Sequence, residues 1–447
     1  MSEAPRVLIA AEHASARFGG EAALPLHYFR VLRGRGVPVW LLTHARTRAE
    51  LSSLYPDDAR IHYIEDTAWH RAMWRIGKRL PDAVAYATTG FLSRLSTQLA
   101  QRRMARRLVR EHGIDVVHQP MPVSPREPSM LHGLGAPVLI GPMNGGMDYP
   151  PAFRRQRGGV ERILFAVGRA SASALNRLMP GKRRAATLIV ANRRTRDALP
   201  AGLAADVVEL VENGVDFGVW RAPPLPVGNV APSVTTFAYM GRLVDWKAVD
   251  LLLHAFARAR AGAPMRLWIL GDGAERDRLE ALCRELGILG TEAQAVGAVF
   301  FHGWLAQSVC AERLGEADVL VLPSLLECGG AVVLEAMSMA KPVIATAWGG
   351  PLDYLDSSCG VLVPPESREA IVSGFAAAMV ELAASAPTRD RLGAAGQRKV
   401  RREFDWDAKI DRMLELYADA IRRSDRAATP HADARGAART GSARPPP

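Results

Sequence analysis

The sequence predicts two α/β domains, each a Rossmann-like, doubly wound parallel sheet. Three observations predict it. Short apolar runs alternate with helical patterns, glycine-bearing turns follow several of those runs, and a Pro- and Gly-rich stretch at 217–232 separates two such series. At 447 residues the chain is long enough to bury two cores.

In the first series a buried strand at 6–13 (RVLIAAEH) leads through SARFGG into a helical pattern from 21 to 35. Gly19 and Gly20 therefore sit at the carboxyl edge of a parallel sheet, where ligands bind in such folds, or else form an ordinary strand-to-helix turn. G-x-G-x-x-G is absent, so this is not a dinucleotide fingerprint. Further strands are expected at 37–43, 61–64, 115–119, 138–141, 187–191 and 207–211. His118 directly follows a strand and falls at the same edge. Asn144, Gly145 and Gly146, in a later glycine turn, either line a ligand site or make a plain turn.

The connection at 69–110 is long and contains two basic helical stretches, AWHRAMWRIGKRL and QRRMARRLVREH; a second basic region spans 154–184. Helices that interleave aromatics with arginines can lie in a membrane interface and attract anionic lipid, or pack on a sheet with a solvated cationic face.

The second series opens with a strand at 234–240, whose turn carries Gly241, Arg242 and Lys247. Two cations five residues apart after a strand suit a diphosphate, Arg as a bidentate donor and Lys as a point charge. Strands follow at 266–270, 299–302, 319–322, 343–345 and 361–363. The richest stretch is LPSLLECGGAVVLEAMSMAKPVIATAWGGPLDY (322–354). Gly329 and Gly330 let backbone N–H groups approach a ligand, and the helix behind them aims its positive end there, which favours a phosphate. Glu327 at the mouth and Glu335, two turns into an unbroken helix, can both accept hydrogen bonds from hydroxyls. A nucleotide sugar fits.

The E-x7-E spacing, LEAM and PVIAT…GG, together with GRLVDWKAVDLLLHAF (241–256), LGDG (270–273) and FHGWL (301–305), resemble the donor site of retaining GT-B glycosyltransferases of family 4, the group 1 glycosyl transferases. The chain departs from that pattern at Cys328, Gly329 and Ala331. The resemblance implies two facing domains with a cleft between them. It also implies donor contacts from Gly19, Gly20, Arg242, Lys247, Glu327, Gly329, Gly330, Ala331 and Glu335. Catalysis is expected from Glu327, His118, Arg242 and Lys247, with Glu335 on the ribose and His118 near the transferring sugar. Asn144 and Gly145 are the acceptor-side candidates. The expected domains are 1–216 (acceptor), a linker at 217–232, 233–403 (donor), and a helix at 404–423 crossing back to the first domain.

Composition sets bounds. Four cysteines without a C-x-x-C pair suggest neither a disulfide framework nor a zinc site, which suits a reducing cytosol. No run approaches the length of a membrane span, and residues 1–6 lead into a strand rather than a signal-peptide pattern. A cytoplasmic protein, peripheral on the inner face of the plasma membrane, is expected. The net charge of +11 is uneven: residues 1–225 hold 32 Lys and Arg against 19 Asp and Glu, leaving 25 against 27 for the rest. A basic first half fits an anionic membrane surface or a phosphate-bearing acceptor. Asp405-x-Asp407 reads as a helix cap rather than a metal-binding D-x-D. No metal and no cofactor is expected, and the tail at 424–447 is too poor in apolar residues to fold.

The expected activity is transfer of a sugar, with retention of configuration, from a UDP- or GDP-sugar to a lipid-linked or polysaccharide acceptor in cell-envelope or exopolysaccharide synthesis. One rival is a sugar-nucleotide epimerase of related fold, which needs no acceptor. The other is a basic nucleic-acid-binding protein, for which no recognition motif is present; nucleic acid is not an expected partner.

Overall fold

A computed structural model describes residues 4–121, 123–156, 172, 174–203, 205–221 and 234–428. The described residues group into two compact units. One takes those of Met1–Gly145, Val160–Glu212 and Ile410–Pro447, the other those of Gly146–Gly159 and Asn213–Lys409. Most of the expected linker (222–232), the end of the tail (429–447) and ERILFAVGRA of the second basic region lie outside the described residues.

The first unit carries seven strands: β1 (Val7–Ala10), β2 (Val39–His44), β3 (Ile61–Ile64), β4 (Val116–Gln119), β5 (Val138–Met143), β6 (Thr187–Val190) and β7 (Asp206–Glu209). They pair in parallel in the order β3-β2-β1-β4-β5-β6-β7. The second unit carries β8 (Thr235–Met240), β9 (Met265–Leu270), β10 (Val299–Gly303), β11 (Val319–Leu322), β12 (Val343–Thr346) and β13 (Gly360–Val363). Their order is β10-β9-β8-β11-β12-β13, again parallel throughout. Each of the thirteen expected strands is present within a few residues of its predicted bounds.

These strands form because runs such as VLIA and VLVL carry no polar position, and VIAT carries only the terminal Thr346. A strand covered by helices on both faces buries every side chain, and each residue of these three runs is buried. Order reverses at β1/β4 in the first sheet and at β8/β11 in the second. At such a point the helices leave to opposite faces and the carboxyl ends of two adjacent strands open a crevice. The second crevice is therefore flanked by the turns after β8 and β11, which carry Arg242 and Glu327.

The connection at 69–110 resolves into a helix at Ala68–Gly77, a short helix at Asp82–Ala85, a π-helical turn at Tyr86–Gly90 and a long helix at Phe91–His112. Thr67 and His70 cap the first of these reciprocally. The final helix, Trp406–Ala428, continues five residues beyond the expected boundary at 423, because Asp419 with Arg422 and Asp206 with Arg423 still hold its last turns. Asp405 accepts from the backbone N–H of Asp407 at 3.0 Å, as a cap does. Among the described residues no single helix is long and apolar enough to cross a membrane.

Candidate functional site

The second unit gathers Arg242, Lys247, Glu327, Gly329, Gly330, Ala331 and Glu335 on the turns after β8 and β11 and on the following helix. The turn after β8 begins at Gly241, and a Cβ on Gly271 or Gly273 of the neighbouring turn would overlap the carbonyls of Gly241 and Leu243. Close backbone stacking thus fixes the loop bearing both cations. A single 3-10 turn, Asp245–Lys247, ends at Ala248 in the left-handed conformation with φ of 50°.

Lys247 Nζ donates to Glu327 Oε2, so two residues picked out separately in the sequence meet as a half-buried ion pair. The N–H of Leu325 donates to the Trp246 carbonyl at 2.9 Å and sews the two turns together. Tyr239, fully buried beneath them, donates its hydroxyl to the Arg242 carbonyl at 3.0 Å. Burial first, and then the charge of Glu327, pushes the Tyr239 phenol well above its ordinary value. Arg242 is exposed and, among the described residues, its guanidinium has no ion-pair or hydrogen-bond partner. A guanidinium without a partner among the described residues, on the same turn as Lys247, is available to an anion.

Gly330 precedes the helix at Ala331–Ser338 with φ of 76°, a left-handed residue that glycine adopts without strain. A Cβ there would lie 3.0 Å from Glu327 Cγ, so the Glu327 side chain folds across the start of the helix. The turn after β12 stacks on the same loop. Gly350 donates its N–H to the Glu327 carbonyl at 2.8 Å, and a Cβ on Gly350 would overlap the Gly329 carbonyl. Trp348 Nε1 donates to the Asp148 carbonyl at 2.8 Å and anchors that second turn.

Glu335 is the fifth residue of its helix, which starts only at Ala331, so it lies just over one turn in rather than two. Its side chain is partly exposed. Burial nevertheless raises its carboxyl pKa to about 8, since no cation lies near enough to hold the charge. The carboxylate in turn helps burial push the Cys310 thiol up to about 11, and Cys310 Sγ reaches the Leu305 carbonyl at 3.7 Å. The turn of FHGWL therefore lies beside Glu335. Sequence reasoning missed Cys310 and two buried hydroxyls without partners, Ser324 Oγ just past β11 and Thr346 Oγ1 at the end of β12. Only their position at carboxyl ends of strands could have drawn notice to them.

In the first unit two expectations change. His118 is 0% exposed; its Nε2 lies 2.6 Å from the Gly141 carbonyl and must donate to it, so Nδ1 accepts from Tyr417 at 2.7 Å. Both ring nitrogens are spent, Tyr28 packs edge-on at 4.7 Å, and burial lowers the pKa to about 4. The imidazole is a neutral core residue with no atom left for a sugar. Asn144, expected on the acceptor side, is likewise buried, donating to Glu212 at 2.7 Å, while the Gly145 N–H donates to Thr195 at 3.1 Å. Both knit the end of β5 to its neighbours. Gly19 and Gly20 are exposed at the start of the Gly20–Gly34 helix, and Gly19 has φ of 102° with open space where a Cβ would stand.

Residues 234–385 match the family of Glycosyl transferases group 1. A lipopolysaccharide core biosynthesis glycosyltransferase, LpsE of Rhizobium meliloti, is 34% identical over 180 residues, covering 40% of this chain and 48% of that protein. A D-inositol 3-phosphate glycosyltransferase of Stackebrandtia nassauensis is 36% identical over 196 residues, 41% of this chain and 42% of that one. The matched stretch thus spans about half the length of these relatives. Among solved structures, Anabaena HepE in complex with UDP superposes with a TM-score of 0.61 at 15% identity, over 93% of this chain and 100% of that one. The lipopolysaccharide outer core galactosyltransferase WaaB gives 0.58 at 16% identity, over 94% and 99%. Identities this low speak for fold alone. Residues 234–385 of the second unit are thus similar to the group 1 glycosyl transferases, and the two parallel sheets have the GT-B fold.

Proposed function

We propose that the protein transfers a sugar, with retention of configuration, from a UDP- or GDP-sugar to a lipid-linked or polysaccharide acceptor of the cell envelope. The observation that carries this reading is the Lys247–Glu327 pair laid across the Gly330 helix start, with Arg242 on the same turn as Lys247 and without a partner among the described residues. Leaving-group departure builds negative charge on a β-phosphate. An ammonium has three donors, and pairing with Glu327 occupies one, leaving two for phosphate oxygens. Arg242 and the N–H groups at Gly330 and Ala331 supply the rest of a preorganised cation set, and the reaction runs without a metal. Glu335 takes the ribose hydroxyls, and Glu327 holds those of the sugar.

Relatives support the donor class: HepE has been crystallised with UDP-glucose, and LpsE is a lipopolysaccharide core glycosyltransferase. For the acceptor, a location on the cytoplasmic face of the plasma membrane suits the basic first half and the exposed Trp69 and Ile76 of the Ala68–Gly77 helix. The test is a thermal-shift screen of UDP- and GDP-sugars on the wild type and on Glu335→Ala. Stabilisation by one nucleotide, lost in the variant, is expected. No stabilisation by any sugar nucleotide would remove the donor assignment.

A further inference from the structure

A cavity lies within the first unit, with a volume of about 720 Å³. Arg46 and Asp66 stand two residues past the ends of β2 and β3, so the cavity opens at the carboxyl edge of the sheet. Arg71, Trp74 and Lys78, on and just after the Ala68–Gly77 helix, form one wall. Thr89 and Gly90 at the end of the π-helical turn, with Ser93 of the following helix, complete the lining.

Three cations line this space against one carboxylate. Asp66 is engaged from two sides: Arg46 donates to its Oδ1 at 3.0 Å and Arg71 to its carbonyl at 3.0 Å. Arg71 spends one donor of five on that carbonyl, and Lys78 lies over the Trp74 ring, at 3.8 Å from its centroid, with no ion pair among the described residues. Trp74 is 63% exposed, an unusual amount of indole to leave in water. Uncommitted guanidinium donors and an ammonium held over one face of an exposed indole suit an anion joined to a flat or apolar body.

We propose that this cavity binds the phosphate of a phosphate-bearing acceptor, with Arg71 and Lys78 on the anion and Trp74 under the group attached to it. The word acceptor rests on the sugar-transfer reading; the phosphate site does not. A lipid phosphate and a soluble sugar phosphate share the chemistry, and the test separates them.

Calorimetry on the full chain would use dihexanoyl phosphatidic acid below its micelle concentration, glucose 6-phosphate, and uncharged octyl glucoside. Binding of at least one phosphate probe is expected, with octyl glucoside bound at least tenfold more weakly. Preference for phosphatidic acid marks a lipid acceptor, and preference for glucose 6-phosphate a soluble one. The Arg71→Gln/Lys78→Gln pair should weaken the phosphate probe at least tenfold, and Trp74→Ala should weaken it severalfold. Should the double variant fold poorly, Lys78→Gln alone, which removes no hydrogen bond, should still weaken it threefold or more. Absence of phosphate-probe binding, equal binding of octyl glucoside, or unchanged binding in the variants would overturn the proposal. UDP-sugar thermal shifts on the same variants keep the two readings apart. Donor binding that survives while phosphate binding fails sinks this site alone; the converse sinks the donor assignment alone.

Discussion

Lys247 and Glu327, 80 positions apart in the chain, form an ion pair with side chains 18% and 12% exposed. Each comes from a strand flanking the point where the second sheet reverses its order, so the pair spans the crevice that topology opens. Lys247→Met should lower donor-dependent kcat by about 10²–10³-fold, the range seen when a preorganised charge-stabilising donor is removed. Steady-state kinetics with the donor found by thermal shift would check it. A rise in KM with kcat unchanged would mean that Lys247 binds ground state and transition state alike.

Among the described residues the Arg242 guanidinium has no ion-pair or hydrogen-bond partner, and only its carbonyl is held, by Tyr239. Arg242→Gln should leave the melting temperature within about 1–2 °C of wild type, as surface changes do, while weakening binding of the nucleoside diphosphate about tenfold. Equal affinity in both proteins would take Arg242 out of the site. Addition of EDTA should leave activity unchanged if the cations alone neutralise the leaving group.

Glu335 makes stability depend on pH. Its carboxyl ionises near 8 in the folded protein, against 4.5 ordinarily. Between those values the folded chain holds a proton that the unfolded chain has released, so stability falls as pH rises from about 4.5 to about 8. Glu335→Gln should flatten that fall in thermal melts across the same window. An unchanged slope would show the carboxyl to be ionised in the native state.

His118 acts in the opposite sense. Held neutral with a pKa of about 4, it leaves the unfolded chain to take up a proton first, so stability is lost as pH drops from 6.5 towards 4. Tyr417→Phe removes the donor to Nδ1 and strands a buried acceptor, which should destabilise the first unit by about 1–3 kcal/mol. Nucleotide binding by the second unit should be unaffected. If Tyr417→Phe abolished turnover at full stability, His118 would have to reach the chemistry after all.

Gly350→Ala should be severe. The added methyl would overlap the Gly329 carbonyl, and the Glu327 turn would have to shift. We expect nucleotide affinity and melting temperature to fall together, read by calorimetry and thermal melts, whereas Gly20→Ala, with open space at its Cβ, should change the melting temperature little.

The strands were legible because a parallel sheet buried on both faces needs continuous apolar runs, and VLIA or VLVL can hardly be anything else beside their glycine turns. The cations and acids of the second unit were legible because spacing along two turns is local. What sequence could not supply was the partner of each group. Nothing near His118 announces that Tyr417, 299 residues on, will occupy its second nitrogen. Asn144 reads as a loop residue until Glu212 and Thr195 are seen closing around it. Helix start points were also poorly marked: Gly330 looks like an opening residue of the helix, and its left-handed φ makes it the residue before.

The pressing of the Gly350 turn onto the carbonyls of Cys328 and Gly329 leaves the main chain around Glu327 no latitude. If this loop holds the donor sugar as proposed, a change of sugar would come from exchanging side chains at Cys328 and Ala331 rather than from reshaping the loop, which makes those two positions the place to test donor preference.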